Sequence, residues 1–537
     1  MSYRPSTVAS VFDGSLPEIA DYSALSDAEL VLASAGWGRA ESAAAARKLA
    51  AMAELFRRRT GLEDAVEREN WFIDAETNVL ADLAGAHHIT ESLARHQTQR
   101  GVMLADRFPR VAALFEAGLI NDMLIRAIVY RTYLITDPDA MAAVDAALAE
   151  QVLAWGPKSQ SKTEEAIDAL VEIHDPGALR RREPTTQTRN LEFGTITDDA
   201  GIMTVYARMY SPDGAALKDR VQTMARSVCP DDPRPMKERL NDALAALSAG
   251  TALRCECDNP DCPATSLDRP PSNVILHLIA TEEGLDKALH AHTQAEAGSE
   301  EVEPDPAGQQ DEPAGETPDG AGATATASTP PTPTATPALG YAFGAGVLSP
   351  RVLLALFDRA KIHRLEHPGD APPEPRYRPS AALQDFVRCR DLTCRFPGCD
   401  QPAHRCDLDH AVPYPAGPTC ASNLRCLCRK HHLLKTFWTG KTGWRDRQSP
   451  DGTIVWTSPT GQSYTTHPGS ALLFPTLCIP TAPAPLRPDQ TTELMKGRGL
   501  NMPRRRHTRA ENRARYIQAE RRLNDDLVAE RNKPSPF

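Results

Sequence analysis

Between Cys394 and Lys435 the chain concentrates side chains of two chemical kinds. Cys394-x4-Cys399 and Cys428-x2-His431 are two close pairs of soft donors. Zinc in structural sites takes four such ligands, usually as two pairs brought together by the fold. Pro397-Gly398 lies within the first pair as a turn former. Cys389, Cys406 and Cys426 are alternative ligands that spacing alone does not exclude. Interleaved with these are Asp409-His410, Asn423 and His432, a set suited to holding a hard metal ion and activating water. An Asp-His dipeptide or a single Asn carries almost no information. Their joint occurrence with zinc-type spacing carries the argument.

These residues need short elements to position them. Cys406–His410 alternates like a strand, Asn423–Leu427 like a second, and Lys430–Phe437 has a polar-apolar helical pattern. Strand, strand, helix with Asp, His, Asn and His in that order resembles the HNH endonuclease family and its ββα-metal fold. The resemblance implies that Asp409 and His432 hold one catalytic Mg²⁺ or Mn²⁺ against the scissile phosphate. His410 would be the general base, and Asn423 would pin the loop that orients it. Cys394, Cys399, Cys428 and His431 would hold the structural Zn, and Arg429, Lys430 and Lys435 would contact flanking phosphates. Many relatives carry Cys where His431 stands, so His431 and His432 can exchange roles. The three-residue step from Cys428 favours His431 for zinc.

The whole chain of 537 residues reads as multidomain. Residues 22–293 form a mostly α amino-terminal domain with a small β-hairpin or sheet. Helices extend from about Leu25 to His174, and near Gly214–Ser227 and Pro235–Ala249. Strands are expected at Leu191–Ile196, Ile202–Tyr206 and Asn273–Ala280, with a turn at Asp198–Gly201. Residues 294–340 hold nine acids and no Lys or Arg among Pro, Ala and Thr, the composition of a disordered linker. Residues 341–480 form the small zinc-stapled module, with its core at 386–440. A helix at Pro350–Ile362 leads into it, and a short β-meander at Thr453–Trp456 and Gln462–Thr465 follows. Residues 481–537 are a basic helical tail, opened by a linker at Thr481–Pro488.

The net charge of −11 is partitioned. Arg376–Arg447 carries thirteen Lys and Arg against six acids, and Lys496–Lys533 twelve against five. Basic regions of this kind suit a polyphosphate partner. DNA is the expected one, and the charge does not exclude RNA. Arg504, Arg505 and Arg506 are unpaired by i,i+4 acids and are expected on the DNA backbone. Ten of twelve cysteines fall in two short clusters, which argues for thiols or metal ligands in a cytoplasmic protein rather than a disulfide framework. No stretch is apolar enough for a membrane span. Cys255, Cys257 and Cys262 form a possible second zinc site, with His277 or a remote residue as fourth ligand, while Cys229 and Cys478 read as free thiols.

Further segments widen the resemblance. Ala75–Arg95, Arg107-Phe-Pro-Arg with Gly118-Leu-Ile, Cys255-x-Cys257-x4-Cys262, and the ending Met502-Pro-Arg-Arg-Arg resemble the 13E12 repeat family of mycobacteria. Those proteins join a helical domain of unknown function to an HNH module and are associated with mobile elements. Ala81–Arg95 also has the look of a helix-turn-helix with Arg95, Gln97 and Arg100 facing DNA, though most helical hairpins are packing units, and His87 and His88 read as turn or cap residues. The implied activity is metal-dependent phosphodiester hydrolysis in DNA. The alternative is a non-catalytic, zinc-stabilised DNA-binding protein.

Overall fold

The computed structural model describes residues 16–180, 190–194, 203–257, 259, 261–264, 278–280, 340–344, 346–348, 363–485, 502–531 and 533. Helices fill the first of these segments, and most of the longer ones have a start signal. Ser26 opens Asp27–Thr60 with a capping box, its hydroxyl accepting from Glu29 N while the Glu29 carboxylate accepts from Ser26 N. Asp74, Thr90, Asn121, Asp137 and Ser159 accept from first-turn amides of Ala75–His87, Glu91–Arg107, Asp122–Arg131, Pro138–Gln151 and Gln160–His174. Leu49, Met52, Phe108, Phe115, Ile125, Ile128 and Leu148 form the centre of their shared core.

Ala75–His87 is buried nearly all round. Val79, Leu83 and Ala84 face that helical core, while Ala75 and Ala81 join a second core with the carboxyl-terminal segment. Two helices do meet at a short turn, with His88 in left-handed conformation as the cap. Yet Arg95 pairs with Glu76, Arg100 with Asp122, and Gln97 is half-buried. The pair is a packing unit.

Asn190–Phe193 pairs antiparallel with Val205–Arg208, three residues beyond the start expected for the second strand. The turn expected at 198–201 lies outside the described residues. Helices Ser211–Ala225 and Met236–Ala249 follow. Leu278–Ala280 pairs with Gly340–Ala342, which pairs with Gly346–Leu348, so one sheet joins chain from both sides of residues 294–339. That acidic segment and the helix expected at 350–362 lie outside the described residues.

The carboxyl-terminal segment contains helix Ala381–Asp391, the hairpin Asp407–His410 and Leu424–Leu427, and helix Arg429–Phe437. A three-stranded sheet follows, Arg445–Gln448, Ile454–Thr457 and Ser463–Thr466, with Ile454–Thr457 in the middle. The expected meander is present with one strand more. Phe386, Phe396, Leu424, Trp438, Trp444 and Trp456 fill the core together with Trp71, Ile73 and Met502 from distant chain. Trp438 Nε1 donates to the Ile73 carbonyl at 2.8 Å.

The last helix, Arg509–Arg531, is not a free basic tail. Arg521 pairs with Asp175, and the Asn524 amide donates to the carbonyls of Gly177 and Leu179. Among the described residues, no helix is long and apolar enough to cross a membrane.

Candidate functional site

Four ligand atoms of Cys394, Cys399, Cys428 and His431 lie within 4.8 Å of one another and could hold a metal ion such as zinc. Cys394 and Cys399 flank a tight knuckle closed by Cys399 N donating to the Phe396 carbonyl. Gly398 makes the knuckle possible: its φ is +72°, and a Cβ there would sit 3.0 Å from the Ile89 carbonyl oxygen. Cys428 caps helix Arg429–Phe437, where the positive helix end favours a thiolate. Hydrogen bonds from the Cys394 and Cys399 thiols draw Cys428 well below the usual thiol range. His431 Nδ1 lies 3.3 Å from Cys428 Sγ and 3.5 Å from Cys394 Sγ, and its ring stacks on Phe396. The alternative ligands lie outside this group of four. Cys406 Sγ donates to the Gln401 and Pro402 carbonyls, Cys426 faces the Val387 carbonyl, and burial pushes the Cys389 thiol up to about 12.

The other imidazole nitrogen has a partner that spacing could not reveal. His431 Nε2 donates to Glu91 Oε1 at 2.5 Å, and Lys430 donates to the same carboxylate. Glu91 begins helix Glu91–Arg107 of the amino-terminal segment. A carboxylate on the far nitrogen of a ligating histidine fixes its tautomer and raises its basicity.

On the hairpin beside this cluster, Asp409 and His410 end the first strand, paired with Arg425 and Leu424. His410 is buried, stacked on Tyr377 with ring centroids 5.2 Å apart. The Thr419 hydroxyl donates to the Tyr377 carbonyl, so its oxygen accepts from His410 Nε2 at 2.9 Å. With the hydroxyl donating to the Tyr377 carbonyl, the imidazole proton would lie on Nε2 and Nδ1 would be the proton acceptor. Burial, opposed by the Asp409 carboxylate, moves His410 below the usual histidine range and favours the neutral form. Thr419 carries no sequence signal of its own.

Asn423 makes the bonds that a loop-pinning residue needs. Its Oδ1 accepts from Val412 N at 2.8 Å, and its Nδ2 donates to the Val412 and Pro418 carbonyls. Gly417 lies against it: a Cβ there would meet the Asn423 amide at 2.6 Å and the Val412 carbonyl oxygen at 2.3 Å. His432 Nδ1 donates to Asp407 Oδ2 at 2.9 Å, and its Nε2 stands 3.6 Å from Asp409 Oδ1. That separation is too long for a good hydrogen bond, and the two donor types suit a divalent ion. The other Asp409 oxygen is held by Lys435 at 2.6 Å and Arg425 at 3.1 Å. Burial would raise the Asp409 carboxyl, but Lys435, Arg425 and His432 outweigh it and keep it below the usual carboxylate range. Arg425, fully buried over Trp456, also pairs with Asp446.

The residues expected on phosphates are placed less simply. Lys435 is no free surface cation: it is half-buried, donating to Asp409 and to the His410 and Ala411 carbonyls. Lys430 is held by Glu91, while Arg429 is an exposed partner of Asp407. Arg505 is paired with Asp74, against the expectation of an unpaired triplet, because the chain from Met502 folds back along Asn70–Asp74. Arg504 and Arg506 are exposed.

Cys255, Cys257 and Cys262 converge with Cys229, their ligand atoms within 4.8 Å of one another, so they too could hold a metal ion. Cys229, expected to stand apart as a free thiol, is the remote fourth member. His277 lies outside the described residues.

Residues 38–304 match the domain of unknown function DUF222. Uncharacterized protein Rv2100 of Mycobacterium tuberculosis is 46% identical over 100% of this chain and 95% of its own length. Uncharacterized protein Rv3776 of the same organism is 43% identical over 98% of this chain and 95% of its own. An uncharacterized protein in the est 3′ region is 38% identical over 70% of this chain and 100% of its own. No solved structure matches the chain.

Proposed function

The chain belongs to the DUF222 family, and we propose that it is a metal-dependent endonuclease of the HNH kind, hydrolysing phosphodiester bonds in DNA. One arrangement carries the reading. A hairpin and the following helix gather the His410 imidazole, bonded at Nε2 to Thr419, an Asp409–His432 donor pair 3.6 Å apart, and an asparagine fixing the loop beside them. Asp409 and His432 would hold Mg²⁺ or Mn²⁺, which supplies polarisation of the scissile phosphate and stabilisation of the leaving oxygen.

The chain's own residues supply the rest. His410 accepts the proton of the attacking water at Nδ1, while Thr419 keeps the opposite nitrogen protonated. Asn423 holds the 412–418 loop that carries Thr419 to the imidazole. Lys435 and Arg425 keep Asp409 ionised and fixed. Arg429, an exposed side chain paired with Asp407, is the cation best placed to exchange a carboxylate for a phosphate. The cluster of Cys394, Cys399, Cys428 and His431 would hold zinc and set the angle of helix Arg429–Phe437. Resemblance to the 13E12 repeat proteins supports an association with a mobile element.

The test is conversion of supercoiled plasmid by the full chain with Mg²⁺ or Mn²⁺. Wild type is expected to nick or linearise it, and His410→Ala to lose about 10²- to 10⁴-fold in rate. Preferential cleavage of a labelled RNA would move the substrate class to RNA. A wild-type chain that cuts neither, yet retards DNA in a gel, would establish the non-catalytic zinc-stabilised binding protein instead.

A further inference from the structure

We infer that Cys229, Cys255, Cys257 and Cys262 form a four-thiolate zinc site that staples the helical hairpin Ser211–Ala225 and Met236–Ala249 to the loop that follows it.

The apolar core of this lobe is small. Each of its two helices buries one residue fully, Ala225 and Ala243. Beyond these, the buried set is Val228, Leu253 and the cysteines themselves. Burying an alanine contributes far less than the roughly 1.5–3 kcal/mol of a leucine or valine, so apolar burial alone holds two helices of 15 and 14 residues weakly. A metal bound by the folded form adds its binding free energy to folding.

The ligands come from separate points of the chain. Cys229 lies just past the first helix, Cys255 and Cys257 follow the second, and Cys262 closes a turn in which its amide donates to the Asn259 carbonyl. Cys255 N donates to the Ala264 carbonyl, which fixes the two arms of that turn. The Cys229 and Cys255 sulfurs are 3.3 Å apart. That is far from a disulfide bond of about 2.05 Å and close to the roughly 3.8 Å between thiolates of a tetrahedral zinc with Zn–S near 2.3 Å.

A polar clamp supports the arrangement independently. The Arg234 guanidinium bonds both oxygens of buried Asp232, the Asp242 carboxylate and the Arg254 carbonyl. Asp232 Oδ2 also accepts from Glu256 N. The clamp therefore ties the segment after Cys229 to the segment carrying Cys255 and Cys257. Four soft donors without a carboxylate or imidazole select a thiophilic ion, which for a structural site is zinc.

The inference stands apart from the nuclease reading, since its readout is metal content. The full wild-type chain should contain two zinc ions by elemental analysis. Cys229→Ser and Cys428→Ser should each retain one, and the double variant none. Hydrogen exchange should show protection of residues 211–249 lost in Cys229→Ser while residues 75–174 stay protected. Should the variant fail to fold, Co²⁺ loading of wild type gives a second count. Thiolate-to-cobalt absorbance should correspond to seven Co–S bonds, four here and three at the Cys394 site. Two zinc ions retained by Cys229→Ser, three Co–S bonds in wild type, or a Cys229–Cys255 disulfide in the metal-free native chain would each overturn the assignment.

Discussion

Replacing Glu91 by alanine should weaken zinc at the Cys394 site, although Glu91 is no ligand and lies 340 residues away from His431 in sequence. Its carboxylate accepts from His431 Nε2 at 2.5 Å, and the two side chains are 13% and 4% exposed. Solvent therefore screens this contact little. Losing the carboxylate partner of a ligating histidine costs about 10- to 100-fold in metal affinity, or roughly 1.4–2.7 kcal/mol. The Lys430 arm, on a side chain 34% exposed, adds little to that. Glu91 also stands in the first turn of its helix, where an acid contributes about 0.3–1 kcal/mol of helix stability and nothing to the metal directly. Glu91→Gln retains an acceptor oxygen and should lose less than Glu91→Ala. The assay is zinc transfer to a chromophoric chelator at equilibrium, with Cys428→Ser identifying the phase that belongs to this site. A Glu91→Ala phase within twofold of wild type, in a chain with unchanged circular dichroism, would refute the reasoning.

Two further predictions follow from single side chains. Thr419→Val should lower kcat for plasmid nicking by roughly 10- to 100-fold with KM little changed, because His410 loses the bond that fixes its tautomer; Thr419→Ser should recover most of it. Asp74→Ala should loosen the carboxyl-terminal helix by about 2 kcal/mol, read as faster hydrogen exchange over residues 509–531, since Arg505 and Arg509 both bond that carboxylate. Burial raises Asp74, but Arg509, Arg505 and Thr77 outweigh it and leave it lowered. Its contribution is therefore complete above the unfolded aspartate value near 3.9 and lost as pH falls through the lower folded value; Trp71 fluorescence against pH should show that acid transition in wild type and lose it in Asp74→Asn.

Local signals in the chain were legible, and distant ones were not. The helical periodicity from about Leu25 to His174 is a local signal, because it repeats every three or four residues. The pairs Cys394/Cys399 and Cys428/His431 are readable for the same reason: each is one turn long. Cys229 was not, because 26 residues and a whole helix separate it from Cys255, and only the folding of the hairpin returns it. Arg445–Gln448 has no local strand signal, since Arg-Asp-Arg-Gln lacks apolar alternation; its place is set by pairing with Ile454–Thr457. Lys435, Arg505, Arg95 and Arg100 read locally as cations free to face nucleic acid. Each is satisfied by a carboxylate that is remote in sequence: Asp409, Asp74, Glu76 and Asp122.

Those remote pairings bear on how the helical region relates to the proposed site. A region that only tethered a nuclease would turn a solvated face toward it. Helix Ala75–His87 instead has both faces buried. Asn78 donates to the Thr442 carbonyl at 2.8 Å, the Thr460 hydroxyl to Asp82 at 3.1 Å, and Trp438 to the Ile73 carbonyl. Gly398 of the metal knuckle rests against Ile89, two residues before Glu91 reaches His431. The carboxyl-terminal segment thus completes its core, and braces its Cys394–His431 group, with residues from the first hundred of the chain. Displacing the Ile89–Glu91 turn removes the carboxylate from His431 and frees Lys430 in the same movement. Lys430 adjoins Arg429 at the start of the helix that carries His432. Any motion of the helical region would therefore reach the metal cluster and the proposed phosphate-facing cations together, through one carboxylate.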